Sequence, residues 1–274
     1  MRILQIVTSG ASEYERKSQR IDHAALSETC EMIVASPDDA ATVTADLAHV
    51  YLSKGADAGK LSSLAVPLVS SIPLPPPRWS WRKRKIAQVV VSPLRSEELK
   101  FVPEAVEQTY WESAETVRRE RGEDDVRVVG SYFRPNVMNM IEQTLLRAQR
   151  FRSDVIWKRF SHPPRAADLR AIDLWVDPTG DYADLDGFVA EAMVAGLPVI
   201  ATRTPINSIR TENGRTGILV PIDDPNELTH AILTALFKPE TVTGRQQAAL
   251  QTLAKFKPRQ RLRALVQLYR TLIP

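Results

Sequence analysis

The stretch from Asp184 to Thr202 reads Asp-Leu-Asp-Gly-Phe-Val-Ala-Glu-Ala-Met-Val-Ala-Gly-Leu-Pro-Val-Ile-Ala-Thr, with acids, a glycine and an apolar helical run side by side. Gly187 lets a helix open in close contact with its surroundings. Phe188, Ala192 and Ala195 share one apolar face, and Gly196 closes the helix in a left-handed cap with Pro198 beyond it. The helix follows the loop after an apolar strand at Leu174 to Val176, so its unpaired first-turn amides lie past a strand end and can hold phosphate. Other reactive side chains offer less. His23, His162 and His230 have no partner at metal-ligand spacing, and no His-x-x-x-His or His-Glu pair occurs, so no metal site is expected. Ser9 and Ser92 lie in no motif that supplies a base, and a serine nucleophile is unsupported. Of the pair Asp223-Asp224, the second caps a helix and leaves the first solvated.

The elements that must position these residues recur as short apolar runs: Ile3 to Val7, Met32 to Ala35, His49 to Leu52, Val66 to Ser70, Gln88 to Val91, Val126 to Val129, Asp154 to Trp157, Leu174 to Val176, Pro198 to Thr202 and Gly217 to Val220. Their length and β-branched content predict buried strands. Helical stripes lie between and after them, in Val137, Ile141, Leu145 and Ala148, in Leu228, Ile232, Leu233 and Leu236, and in Leu262, Leu265, Val266, Tyr269 and Leu272. Asp224, Pro225 and Glu227 form the start signal of the second stripe. Alternating strands and helices predict parallel sheets with crossovers, an α/β architecture.

Pro73, Pro75, Pro76 and Pro77 precede the basic, aromatic run Arg78 to Lys85, the sharpest break in composition. It divides the chain into residues 1–77, a linker at 78–86, a second domain at 87–257 and a last helix at 258–274 that is expected to return to the first domain. In the linker, Trp79, Trp81, Arg82, Lys83, Arg84 and Lys85 could bind nucleic acid or make a weak peripheral contact with an anionic membrane, but so short and isolated a patch better fits a solvated hinge between domains. The whole chain, 274 residues with 36 Lys plus Arg against 33 Asp plus Glu, has a net charge of only +3, which does not point to a nucleic-acid binder. Cys30 is the single cysteine, which excludes an intrachain disulfide and fits a reducing cytoplasm. The apolar run at Ile3 is too short for a signal-peptide core, so a soluble, unprocessed chain is expected.

The order of the motifs resembles the family 4 glycosyltransferases of the GT-B fold. Their second domain typically reads Glu-Gly-Phe-Gly, then Glu-Ala-Met-x-x-Gly-x-Pro-Val-Ile-Ala, then Asn-Gly-x-x-Gly-x-Leu-Val-x-x-x-Asp-Pro. Asp186-Gly187-Phe188, Glu191-Ala192-Met193, Gly196, Pro198 to Ala201, Asn213-Gly214, Gly217, Leu219-Val220 and Asp224-Pro225 follow in the same order. The likeness is continuous from about Ile172 to Leu236. Upstream, Val128-Val129-Gly130 is similar to the strand and glycine that open that domain. In the first half, Ile3 to Thr8 and Asp46 to Val50 look like two of the family's strands, and Ser9-Gly10-Ala11 stands where it has a glycine-rich loop.

The resemblance implies an α/β fold of two Rossmann-like domains facing a cleft, both reduced in size. It implies a retaining, hexosyltransferase-type reaction between a nucleotide diphosphate sugar and an acceptor hydroxyl, with no metal or other cofactor. Glu191 matches the glutamate that holds the donor ribose. Asp186 stands nearest to the acid that addresses the donor sugar, with Asp184 and Asp181 as competitors. The family spaces its two acids by seven residues and this chain by four, so an ungapped count puts the first acid on Ala183. Gly130, Gly187 and Phe188 belong to the donor site by the same likeness, and Arg134 alone stands where the family uses an Arg and a Lys on the diphosphate. His49 matches a histidine near donor sugar and acceptor, although its apolar neighbours equally suit a hydrogen-bonded structural residue. The missing phosphate-binding partner and the altered spacing leave a second reading, a non-catalytic nucleotide-sugar-binding or regulatory protein.

Overall fold

A computed structural model describes residues 1–8, 11–51, 61, 64–71, 89–92, 100–102, 104–114, 125–132, 138–179 and 186–273. The linker residues 78–86 with Trp79 and Trp81, the candidates Arg134 and Asp184, and the competitor Asp181 lie outside the described residues. The chain divides into two compact units, residues 1–107 with 255–274, and residues 108–254.

The first unit carries six parallel strands, β1 (Arg2–Val7), β2 (Glu31–Ala35), β3 (Leu47–Tyr51), β4 (Leu68–Ser71), β5 (Val89–Ser92) and β6 (Lys100–Phe101), in the order β2-β1-β3-β4-β5-β6. Helix α1 (Glu13–Leu26) joins β1 to β2. Ser12 starts it by a capping box, accepting the Glu15 amide while the Glu15 carboxylate accepts the Ser12 amide at 2.6 Å. β3 is buried along its whole length, as a central parallel strand covered on both faces must be.

The second unit holds β7 (Arg127–Tyr132), β8 (Val155–Phe160), β9 (Leu174–Asp177), β10 (Val199–Thr202) and β11 (Ile218–Val220), all parallel, in the order β11-β10-β9-β7-β8. Its helices are α2 (Gln108–Ala114), α3 (Met138–Phe151), α4 (Ala166–Arg170), α5 (Val189–Val194), α6 (Pro205–Arg210), α7 (Pro225–Phe237) and α8 (Glu240–Thr252). Met140 and Ile141 of α3 and Leu228, Ile232 and Ala235 of α7 pack with Val129, Val176 and Ile200 of the sheet. Asp224 caps α7 as expected, accepting the amides of Asn226 and Glu227 at 3.0 Å.

The last helix, α9 (Pro258–Leu272), belongs to the first unit and packs on α1 and β1 through Leu265 and Tyr269. The division of the chain differs from the one expected at residues 73–86. β5 pairs in register with β4, Val69 with Val89 and Ser71 with Val91, and β6 pairs with β5, so these two strands complete the first sheet instead of opening the second. Backbone pairing between strands, which composition does not report, decides the boundary.

In each unit the chain reverses direction across the sheet between its first and third strands, at β1/β3 and at β7/β9. Ligands of open α/β sheets bind past the carboxyl ends of the strands at this point. Of the sequence candidates of the second unit, Asp186, Gly187 and Phe188 stand after β9 on this side of the sheet.

Candidate functional site

β9 ends at Asp177, whose carboxylate is buried and accepts the Asn207 side-chain amide at 2.9 Å. Asn207 is fixed in turn. It gives the same amide to the Thr202 carbonyl at 3.1 Å, its backbone N–H donates to the Thr204 hydroxyl, and its carbonyl accepts the Thr211 hydroxyl at 2.6 Å. The chain returns over this layer at Gly187. A Cβ built there would stand 2.3 Å from Asp177 Oδ2 and 2.6 Å from its carboxyl carbon, so only glycine allows the approach. Trp175, fully buried in β9, donates its indole N–H to the Gly187 carbonyl at 2.8 Å. Phe188 follows with φ +51° and caps α5 without a side-chain bond, and its ring meets that of Tyr132 edge-on at 5.0 Å.

α5 spans six residues, fewer than two turns, and every one of them is buried. The single apolar face read from the sequence is thus a helix enclosed all round. Gly196 has the expected left-handed conformation, φ +75°, with the Leu197 amide on the Ala192 carbonyl and the Gly196 amide on that of Met193. The motif's later glycines are also structural. Gly214 takes φ +93° in the turn after α6, and a Cβ on Gly217 would come 3.0 Å from the Thr211 methyl and 3.3 Å from the Val199 carbonyl.

The candidate residues separate into three groups. Asp186, half-buried, with Gly187 and Phe188, stands at the carboxyl edge of the sheet. Glu191 lies in the first turn of α5 but is fully buried, so contact with a ribose requires what covers it to open. Gly130 sits inside β7, two residues before its end, where a Cβ would meet Ile172 Cδ1 at 2.4 Å and Trp175 at 3.2 Å. Its missing side chain makes room for packed apolar side chains.

His49 takes the hydrogen-bonded place in the core that its apolar neighbours suit. It is fully buried in β3, stacked on Tyr51 at 4.4 Å, with Nδ1 at 2.5 Å from the Tyr269 hydroxyl and Nε2 at 2.7 Å from that of Ser71. Both ring nitrogens are engaged and neither reaches solvent. Burial, then the Arg261 charge, hold the imidazole neutral, well below its ordinary pKa of 6.5. Burial also raises the Tyr51 and Tyr269 phenols well above their usual range, so both stay protonated. The unfolded chain binds the His49 proton that the folded chain refuses, so stability is complete above about pH 6.5 and falls on acidification by up to about 1.4 kcal/mol per pH unit. Urea midpoints of wild type and His49→Gln across this range check it, and the expected slope is shallower in the variant.

Sequence reasoning missed the layer of Asp177, Asn207, Thr202 and Trp175. The one available signal was an acid closing the apolar run Leu-Trp-Val. Among the described residues, no cluster of three His, Cys, Asp or Glu side chains could hold a metal ion, and no helix is long and apolar enough to cross a membrane.

Two parallel Rossmann-like sheets, each with its switch between the first and third strands, define a GT-B fold. The chain superposes on HepE of Anabaena in complex with UDP and glucose with a TM-score of 0.72 at 15% identity, over 99% of this chain and 100% of that one. A glycosyltransferase from Rickettsia africae gives 0.72 at 11% identity over 99% and 98%. Sucrose-phosphate synthase from Thermosynechococcus elongatus gives 0.69 at 12% identity over 99% of both chains. Residues 105–237 match the family glycosyl transferases group 1. A D-inositol 3-phosphate glycosyltransferase of Catenulispora acidiphila is 32% identical over 152 residues, 53% of this chain and 35% of that protein. Its counterpart in Corynebacterium jeikeium is 32% identical over 111 residues, 40% of this chain and 25% of that protein. The matches thus span about a quarter to a third of the length of these curated relatives.

Proposed function

We propose that this chain transfers a sugar from a nucleotide diphosphate sugar to an acceptor hydroxyl, with retention of anomeric configuration. The observation that carries the reading is the placement of Asp186, Gly187 and Phe188, in the segment that matches the group 1 family, at the carboxyl end of β9, the ligand-binding edge of a doubly wound sheet. HepE, the Anabaena protein of the same fold, forms complexes with UDP, with UDP and glucose, and with UDP-glucose, which supports a uridine diphosphate sugar as the donor to try first.

In this reading the backbone amides at Gly187 and Phe188 face the diphosphate, with the Arg134 guanidinium as the matching cation. Glu191 accepts ribose hydroxyls once uncovered. Asp186 faces the donor sugar, where positive charge develops as the bond from C1 to the diphosphate breaks. The electron pair leaves with the diphosphate, the acceptor oxygen bonds to C1, and the acceptor proton passes to a departing phosphate oxygen or to water. Amides and a guanidinium neutralise the leaving group, so the reaction as proposed uses no bound metal. The proposed setting is the cytoplasm, where nucleotide sugars are substrates.

The test is nucleoside diphosphate release from UDP-glucose and other nucleotide sugars with a panel of hydroxyl acceptors, and the product anomer read by NMR. Asp186→Asn is expected to lower kcat by about 100-fold with little change in KM, the pattern of a lost transition-state interaction worth about 2.7 kcal/mol. Unchanged kcat in Asp186→Asn removes that residue from the chemistry. Nucleotide-sugar binding without turnover of any acceptor leaves the non-catalytic binding protein.

A further inference from the structure

From Lys255 to Pro274 the sequence carries Lys255, Lys257, Arg259, Arg261, Arg263 and Arg270 and no acid, in a chain whose net charge is only +3. α9 sorts these cations by face. Arg261 turns inward to Asp22, while Arg259, Arg263 and Arg270 are exposed. At 3.6 residues per turn and 1.5 Å per residue, the three arginines fall within about 40° of arc and extend about 16 Å along the axis. None of them is held in an ion pair among the described residues. The half-buried Val266 borders the row, and the opposite face, with Leu265 and Tyr269, is committed to the core.

We propose that this arginine row binds the surface of a bilayer containing anionic lipids. Lipid headgroups diffuse in the plane and gather under cations at whatever spacing the protein offers. A nucleic-acid duplex fixes its phosphates and is read by elements that enter a groove, whereas α9 offers a single outer row on a helix anchored from behind. The row also lacks the aromatic side chains on which single-stranded bases stack. The contact is independent of the proposed sugar transfer, because it uses no residue of the second unit.

Sedimentation of the full chain with phosphatidylglycerol–phosphatidylcholine vesicles tests the proposal, with pure phosphatidylcholine vesicles as the comparison. Binding is expected only to the anionic vesicles and is expected to weaken steeply with salt, since charges more than a Debye length apart, about 10 Å at 0.1 M, are screened. Each arginine near the surface contributes about fivefold to partition, equivalent to about 1 kcal/mol. The triple variant Arg259→Gln, Arg263→Gln, Arg270→Gln should therefore bind roughly 100-fold more weakly with an unchanged thermal midpoint. Arg150→Gln, on the exposed end of α3, should bind like wild type. Equal binding to both vesicle types, no binding to either, or full binding by the triple variant would overturn the proposal. So would a duplex oligonucleotide held more tightly than the vesicles and released by the same triple variant.

Discussion

Asp22→Ala is expected to cost about 3–5 kcal/mol of stability, the range for removing one partner of a buried ion pair. Arg261 donates Nε to Asp22 Oδ1 at 2.6 Å and a second guanidinium nitrogen to Oδ2 at 2.8 Å, with both side chains almost wholly buried. Burial works against the Arg261 charge and Asp22 more than offsets it, so the guanidinium is held more firmly protonated than usual. The Tyr51 hydroxyl donates to the same carboxylate at 2.7 Å and accepts the Gln5 amide at 3.1 Å. His49, Tyr269 and Ser71 extend this network across β3, α9 and β4. Removing the Asp22 carboxylate leaves a buried cation and an unsatisfied phenol, both far from water. Hydrogen exchange should then rise in β1, β3 and α9 before it rises in the second sheet. Asp22→Ala combined with Arg261→Met should recover most of the loss, because the apolar pair leaves no charge behind. A single variant as stable as wild type would show that the pair does not anchor α9.

Gly187→Ala is the second large effect expected, and it bears on the site. The added methyl overlaps the Asp177 carboxylate, whose three nearest atoms stand 2.3–2.9 Å from the built Cβ. That carboxylate is buried and bonded to Asn207, so relief has to come from displacing the Gly187 backbone, which also carries the bond to Trp175. Overpacking of this kind costs about 1–3 kcal/mol. The larger consequence is for binding, since a shift of about 1 Å in a positioning element can lower turnover 100-fold. Thermal unfolding and UDP-glucose turnover measure the two effects together. Asp177→Ala added to Gly187→Ala should restore part of the stability by vacating the space. A Gly187→Ala chain with unchanged midpoint and turnover would show that this close approach is dispensable.

Local patterns in the sequence were legible because their causes are local. Apolar runs such as Val199 to Thr202 became strands, Asp224 with Pro225 capped α7, and Gly196 closed α5. The reading failed where distant residues decide. Lys100–Phe101 is too short for a periodic signal, and β5 joins the first sheet through pairing with β4, which composition does not reveal. His49 was readable as either chemical or structural. Tyr269, which bonds its Nδ1, lies 220 residues away. Gly130 matched a motif glycine by its place in a strand, but its role depends on Ile172 and Trp175 arriving above it. The candidate site was visible as a motif, whereas the Asp177 and Asn207 layer beneath it depends on β9 and α6 meeting in space.

The most direct test of the donor-site assignment is calorimetric titration of UDP-glucose into wild type and Glu191→Gln, each first shown to be folded by its thermal midpoint. The substitution keeps the side-chain volume and removes the charge that would hold ribose hydroxyls, a contact worth about 1.5–3 kcal/mol. Wild type is predicted to bind, and Glu191→Gln to bind at least about tenfold more weakly. Equal affinity in the two proteins would contradict the assignment of Glu191 to the donor.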